Sequence, residues 1–404
     1  VTKKLLFLPK QFFVRKLIVA FLFSFSLSSP AQQDSCRLRI SLLTCTPGQE
    51  LYTTFGHSAV RVFDSSHNTD LVFNYGTFDF YDPAFYKKFI KGKLLYFVSI
   101  DTLPSFLWEY QYHKRGVTEQ VIALSCEEKQ RMLPALFENA REENKYYRYD
   151  FNYDNCTTRL RDMLEKITGK PMQTKNILPH SNTTFRHLIH DYLNRGGQQW
   201  SKLGIDILLG SPLDKKITSR EAMFLPDYLM TAFDSSALNT YPLVAEKKIL
   251  LNEFEAYKTK SRITPLLVFG ILFFIITALS IFLDKRGNIF FTVFDFLLFF
   301  LSGLIGVLLL YMWFATDHAM CKNNFNLLWA LPFHLLSAFL LFKKKTGVKN
   351  YFRFIFFYSL ALLIIWFLLP QQLNTALLPV TGIIAVRCFF ISKKIAADAR
   401  RNTE

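Results

Sequence analysis

Charge is scarce in this chain. Only 20% of its 404 residues are Asp, Glu, Lys or Arg, while half are hydrophobic and 43 are Phe. That balance excludes a disordered or collagen-like chain and argues against one ordinary soluble domain. Acids are the scarcer sign and the net charge is +16, but its distribution excludes a nucleic-acid footprint. Residues 1–31 hold five Lys/Arg and no acid; residues 284–404 hold thirteen bases against five acids; the large middle, 32–283, carries 30 bases and 27 acids. The excess sits at the N-terminus and between apolar runs, where membrane insertion explains it. Repeats, low-complexity linkers and a Gly-rich phosphate loop are missing, so no nucleotide or other cofactor is expected. A metal is not expected either. His180, His187 and His190 lie close together, the last two on one helix face. No acidic or Cys ligand stands at suitable spacing, so surface histidines are expected rather than a zinc site.

The ends of the chain carry targeting and membrane signals. Lys3, Lys4, Lys10, Arg15 and Lys16 form a basic region, Leu17 to Leu27 a short apolar stretch, and Ser29-Pro30-Ala31 a cleavage pattern. Residues 1–31 therefore read as a secretory signal peptide. An uncleaved anchor is the alternative, although about eleven apolar residues fall short of roughly 30 Å of hydrocarbon. Five apolar runs follow late in the chain, at about 263–283, 289–314, 327–342, 352–369 and 373–392. They predict an all-α membrane domain of about five transmembrane helices over 263–392, with a cytoplasmic tail at 393–404. Lys/Arg cluster after the first, third and fifth runs, whereas the loops 315–326 and 370–372 contain only Lys322. The positive-inside rule puts the C-terminus in the cytoplasm and the preceding body outside.

That body, 32–255, reads as α+β. Ser58–Phe63, Leu71–Tyr75, Leu94–Ile100 and Val117–Leu124 have strand composition. Pro83–Ile90, Glu127–Glu143 and Cys156–Ile167 read as helices, the last with Leu160, Met163, Leu164 and Ile167 on one face and Gly169 behind its end. Two spots carry candidate chemistry. In Tyr52-Thr-Thr-Phe-Gly-His57-Ser a glycine precedes a His that opens a strand. In Tyr153-Asp-Asn-Cys156-Thr-Thr-Arg159, Asp154 or Asn155 can cap a helix whose first turn holds Cys156. Unpaired N–H groups and the positive dipole end stabilise a thiolate there, and a thiolate beside an imidazole is an activated nucleophile. The bland alternative is a buried structural Cys and a satisfied strand His. Six cysteines are present. Cys36 and Cys45 can bridge, or Cys45 can itself be reactive, lying twelve residues before His57. The loop Thr316-Asp317-His318 through Cys321 to Asn326 is polar and lies at the outer membrane boundary. It reads as a connector, or as part of a lipid-facing site through Asp317 and His318.

A Gly-His strand start followed much later by Asn-Cys-Thr-Thr at a helix start resembles the permuted papain-like fold, in the His-before-Cys order of lecithin:retinol acyltransferase-type enzymes. Ser41-Leu-Leu-Thr-Cys-Thr-Pro-Gly48, Phe55-Gly-His57-Ser-Ala-Val-Arg61 and Asp154-Asn-Cys156-Thr-Thr-Arg159 are similar to the Lnb N-terminal periplasmic domain. The resemblance covers about residues 38–250 and the general layout of the rest. It implies Cys156 as nucleophile, His57 as general base and Asn74, on the strand after the His, as the orienting group. Arg159 and Asp162 are expected to hold the helix and loop. The implied activity is a lipoprotein N-acyltransferase in a bacterial inner membrane, with its catalytic domain in the periplasm. Its partners would be a phospholipid acyl donor, a diacylated lipoprotein acceptor and the bilayer. A membrane-tethered cysteine hydrolase of cell-wall peptides and a non-enzymatic envelope assembly protein are the alternatives.

Overall fold

The computed structural model describes residues 36–238, 241–253, 263–284, 289–342 and 346–401; the signal-peptide reading of 1–31 lies outside them. In the body the elements are β1 (Leu38–Cys45), β2 (His57–Asp64), β3 (Thr69–Thr77), α1 (Phe85–Ile90), β4 (Leu95–Thr102), α2 (Leu103–Tyr112) and β5 (Val117–Ile122). Then come α3 (Cys126–Ala140), β6 (Tyr146–Arg148), α4 (Cys156–Thr168), α5 (Phe185–Arg195), α6 (Gln199–Leu208), α7 (Pro226–Ser235) and β7 (Val244–Leu251). One antiparallel seven-stranded sheet runs in the order β6-β4-β3-β2-β1-β5-β7. Three strands, β1, β6 and β7, go beyond the expected set.

Alternation along the strands sends side chains to two apolar layers. Ile40, Leu42, Val60, Val62, Phe73 and Tyr75 pack with Met132, Leu136, Leu160 and Leu164 of α3 and α4. Leu43, Cys45, Ala59, Val72 and Val117 pack with Phe106 and Tyr110 of α2. Register fixes which end of the sheet is which. Cys45 stands opposite His57 on one side and Val117 on the other, and Val117 stands opposite Leu251. His57 therefore lies at the same end as Leu251, the end of the last body strand.

A disulfide joins Cys36 to Cys126, and Cys45 is free. Of the two readings of Cys45, the bridge to Cys36 is corrected by strand geometry. Cys36 lies just before β1 and Cys45 ends it, and extended chain at about 3.3 Å per residue holds them roughly 30 Å apart.

The membrane part contains α8 (Pro265–Leu283), α9 (Ile289–Phe314), α10 (Phe333–Leu340), α11 (Thr346–Ile365) and α12 (Leu377–Arg401). Among the described residues, three helices are long and apolar enough to cross a membrane: Pro265–Leu283, Ile289–Phe314 and Gly347–Leu368. The third apolar run forms only the eight-residue α10, preceded by a short 3-10 turn at Phe325–Leu328. It lies against α9 where two glycines leave room. A Cβ on Gly306 would sit 2.1 Å from the Ala330 carbonyl oxygen, and one on Gly303 2.1 Å from the Leu335 nitrogen. Phe339 and Phe342 meet Phe296 further along the same helix. In α12, which continues to Arg401, Arg387 points into the bundle. Its guanidinium binds Asp295 through two hydrogen bonds of 2.6 and 2.9 Å, and also Asp284 and Ser280. A charge at that depth is tolerated only when paired in this way.

The body is keyed into the membrane part through α5 and α6. Arg186 is fully buried and bonded to Asp206 and Asp214, and Asp206 also accepts from Asn374 at 2.8 Å. His190 donates into the same knot, with Nε2 2.7 Å from Asp206. This corrects its reading as a surface residue: helical spacing puts it one turn from Arg186, on the face that meets the buried carboxylate.

Candidate active site

Local sequence places the thiol. The Asn155 side chain accepts from the N–H groups of Thr157 and Thr158 at 2.8 and 2.9 Å, and Gly169 ends α4 in the left-handed conformation. The helix thus begins at Cys156, whose sulfur stands at its positive end. Asp154, the other candidate cap, instead pairs with Arg159 at 2.6 Å, and the Arg159 guanidinium lies 3.5 Å from the centre of the Tyr147 ring. Asp162 pairs with Arg161 and Arg220. Arg159 and Asp162 hold the helix and its loop.

Gly56 places the imidazole. Its φ of +79° suits glycine, and a Cβ there would lie 2.7 Å from the Cys45 carbonyl oxygen. The chain turns tightly there and delivers His57 to the first position of β2. His57 and Cys156 are close enough for each to act on the charge of the other. On its far side the ring meets Asn74, with Nε2 3.3 Å from Oδ1. The Asn74 amide in turn donates to Asp101 Oδ2 at 2.7 Å.

Electrostatics follow from that arrangement. Burial alone would push the Cys156 thiol up. The charge and hydrogen bond of His57, the Ser58 backbone N–H and the Thr157 hydroxyl overcome it and bring the thiol down to about 7. Burial likewise opposes protonation of His57, but the sulfur and the Asn74 carbonyl hold its ring above its ordinary value. Cys45 behaves oppositely. It is completely buried, and burial pushes its thiol up to about 12 despite Arg115 and Tyr110 nearby. That environment makes Cys45 a core residue rather than the reactive thiol.

The structure therefore brings together His57, Cys156 and Asn74. Asp317 and His318 meet the body elsewhere. Asp317 accepts from Arg148 at 3.4 Å and donates its backbone N–H to the Lys91 carbonyl, while His318 Nε2 lies 2.9 Å from the Phe89 carbonyl oxygen. Both fasten the loop after α9 to the segment around α1. Asp101 escaped sequence reading, as did the tyrosines around the thiol. Asp101 lies just past the expected strand, and its one signal is an acid in strand alternation. Tyr149 and Cys156 border the same space above Gly76, whose φ is +89°. Among the described residues no group of three or more His, Cys, Asp and Glu side chains is placed to hold a metal ion. A groove of about 700 Å³ at the outer ends of α8, α11 and α12 is lined by Leu266, Phe273, Leu363 and similar residues without an ionisable group.

Comparison with curated proteins and with solved structures finds no match. Family models do match. Residues 29–191 fit the Lnb N-terminal periplasmic domain and residues 257–397 the Lnb transmembrane domain. With both halves matched in that order, the chain belongs to the Lnb-type family and is an inner-membrane protein with its N-terminal domain in the periplasm.

Proposed function

We propose that this protein is a thiol-dependent acyltransferase of the outer face of the inner membrane, which moves an acyl chain from a phospholipid to the N-terminal amine of a diacylated lipoprotein. One observation carries the reading. A thiol brought down to about 7 and its imidazole lie at the sheet end shared with Leu251, the strand end nearest in sequence to the first membrane helix. A site for two membrane-bound substrates gains from that position, because both are concentrated at the bilayer.

The chemistry divides one acyl transfer into two. The Cys156 thiolate attacks the ester carbonyl carbon of the phospholipid. The C–O bond breaks, and protonated His57 gives its proton to the departing lysophospholipid oxygen. The acceptor's amine then attacks the thioester carbonyl, His57 takes the amine proton, and the C–S bond breaks to leave an amide and the thiolate. Asn74, held by Asp101, keeps the ring facing the sulfur. The same dyad serves a cell-wall peptidase, but a hydrolase of a polymer gains nothing from a site held against the bilayer.

The body is proposed to span 32–255, with a permuted papain-like arrangement, and the membrane domain to make five crossings. The segment from Ala330 to Phe342 supports the third of these crossings, since it runs along α9 from Gly306 to Phe296. A reporter after Glu404 is then cytoplasmic and one after Cys321 periplasmic. The function is tested by mass spectrometry of lipoprotein N-termini in cells with the protein, without it, and with Cys156→Ala. N-acylated termini are expected only in the first; their persistence in the other two would refute the reading.

A further inference from the structure

We infer that the segment Phe78–Lys93, with Tyr52, is an interfacial element that enters the outer leaflet and leads an acyl chain of a bilayer phospholipid to Cys156. This rests on the acyltransferase reading for its last step only. The segment exposes large apolar and aromatic side chains in a cluster: Phe80 is 60% exposed, Tyr81 94%, Tyr86 76% and Phe89 52%. Side chains of that size facing water together mark a contact surface.

The occupant follows from what fixes the segment in place. The Phe89 carbonyl oxygen lies 2.9 Å from His318 Nε2, and the Lys91 carbonyl accepts from the Asp317 backbone at 3.0 Å. A Cβ on Gly92 would lie 3.2 Å from the Asp317 carbonyl carbon, so the two backbones are packed together. Asp317 follows closely on the end of α9 at Phe314. α1 and its flanks are therefore tied to the outer end of a membrane-crossing helix, at the depth where aromatic side chains settle in a bilayer. Lys87, Lys88, Lys91 and Lys93 are exposed on the same segment, with Lys88 paired to Asp82 and Asp79 as the other acid. Four bases against two acids suit phospholipid headgroups.

The same rings form a lane to the thiol. Phe80 meets Phe78 at 4.6 Å between centroids, Phe78 meets Tyr96 at 5.3 Å, and Tyr96 stacks on Tyr149 at 4.3 Å. Tyr149 borders the glycine-made space that Cys156 also borders. Tyr52, just before the His57 turn, edges both Phe78 and Phe80. An aromatic wall of this kind lets an acyl chain leave the bilayer without meeting water.

Full-length protein carrying Cys156→Ala is labelled with bimane at Tyr81→Cys, Tyr86→Cys or Ser65→Cys. It is then placed in nanodiscs of phosphatidylethanolamine and phosphatidylglycerol brominated high on the acyl chain. Ser65 lies beyond the far end of β2, roughly 25 Å from His57 at about 3.3 Å per residue. Quenching is expected at 81 and 86 and not at 65; equal signals at all three would overturn the insertion. The lane is tested with Cys156 intact in Phe78→Asp and Phe80→Asp. Each should lower acylation of Cys156 from vesicle phospholipid by at least about tenfold while sparing acylation by a soluble short-chain ester. Unchanged vesicle acylation, or equal loss with both donors, would overturn the lane. Quenching at 81 and 86 in a protein that never acylates Cys156 would refute the function and the lane but support the inserted element.

Discussion

Replacing His57 by Ala tests the electronic core of the site. The imidazole is the main reason that the Cys156 thiol stands near 7 rather than at its ordinary 9.0, against a burial that pushes the other way. Two pH units correspond to about 3 kcal/mol in favour of the thiolate. The group's value is depressed, so the thiolate is present above about 7 and lost as pH falls through it. Without the ring, burial remains and the midpoint returns to 9.0 or higher. At pH 7 the thiolate fraction then falls from about one half to about 1% or less. Alkylation by iodoacetamide, followed by mass spectrometry across pH, reads this directly, since the thiolate is the reacting species. Cys45, pushed to about 12, and Cys321, pushed to about 11, stay silent over the range that matters. Wild-type protein should show a midpoint near 7, and His57→Ala should react about 50-fold more slowly at pH 7. The same midpoint and rate in both proteins would refute the pairing.

The remaining predictions concern support of the dyad and of the fold. Asp101→Ala frees the Asn74 amide and should lower turnover by about tenfold, an effect of about 1.4 kcal/mol, at unchanged melting temperature; steady-state rates and a thermal melt check it. Gly56→Ala puts a side chain at φ +79° and 2.7 Å from the Cys45 carbonyl oxygen, and should cost about 1–3 kcal/mol in a denaturant titration. Cys126→Ser removes the link to Cys36 and should cost about 2–5 kcal/mol, visible as a lowered melting temperature that reductant no longer affects.

The two groups proposed to react were legible as candidates because each is announced by its neighbours in the chain. A glycine before His57 and an Asn-Cys pair at a helix start are local signals, and local signals survive folding. Asn74 was reachable through the family resemblance, as the polar residue on the next strand. Asp101 was not, because its tie to Asn74 depends on the register between β3 and β4, where Asp101 stands opposite Val72. Cys36 is the converse case: proximity in sequence suggested Cys45, but an extended strand separates neighbours and carries Cys36 to α3 instead. Three membrane helices, Pro265–Leu283, Ile289–Phe314 and Gly347–Leu368, were legible from apolar length alone. The third run was not legible as a short helix, because its shape depends on two glycines in α9 that admit its backbone. His190 was misread for a similar reason: only packing shows that its helix face meets Asp206 rather than water.

Cys156 is proposed to carry the acyl chain, and intact-mass analysis of the purified protein reads that adduct itself. After incubation with phospholipid vesicles, a covalent acyl mass is expected that maps to Cys156, disappears on treatment with neutral hydroxylamine, and never forms in Cys156→Ser or Cys156→Ala. An unmodified Cys156 in protein that transfers acyl chains to lipoprotein, or full transfer by Cys156→Ala, would contradict it.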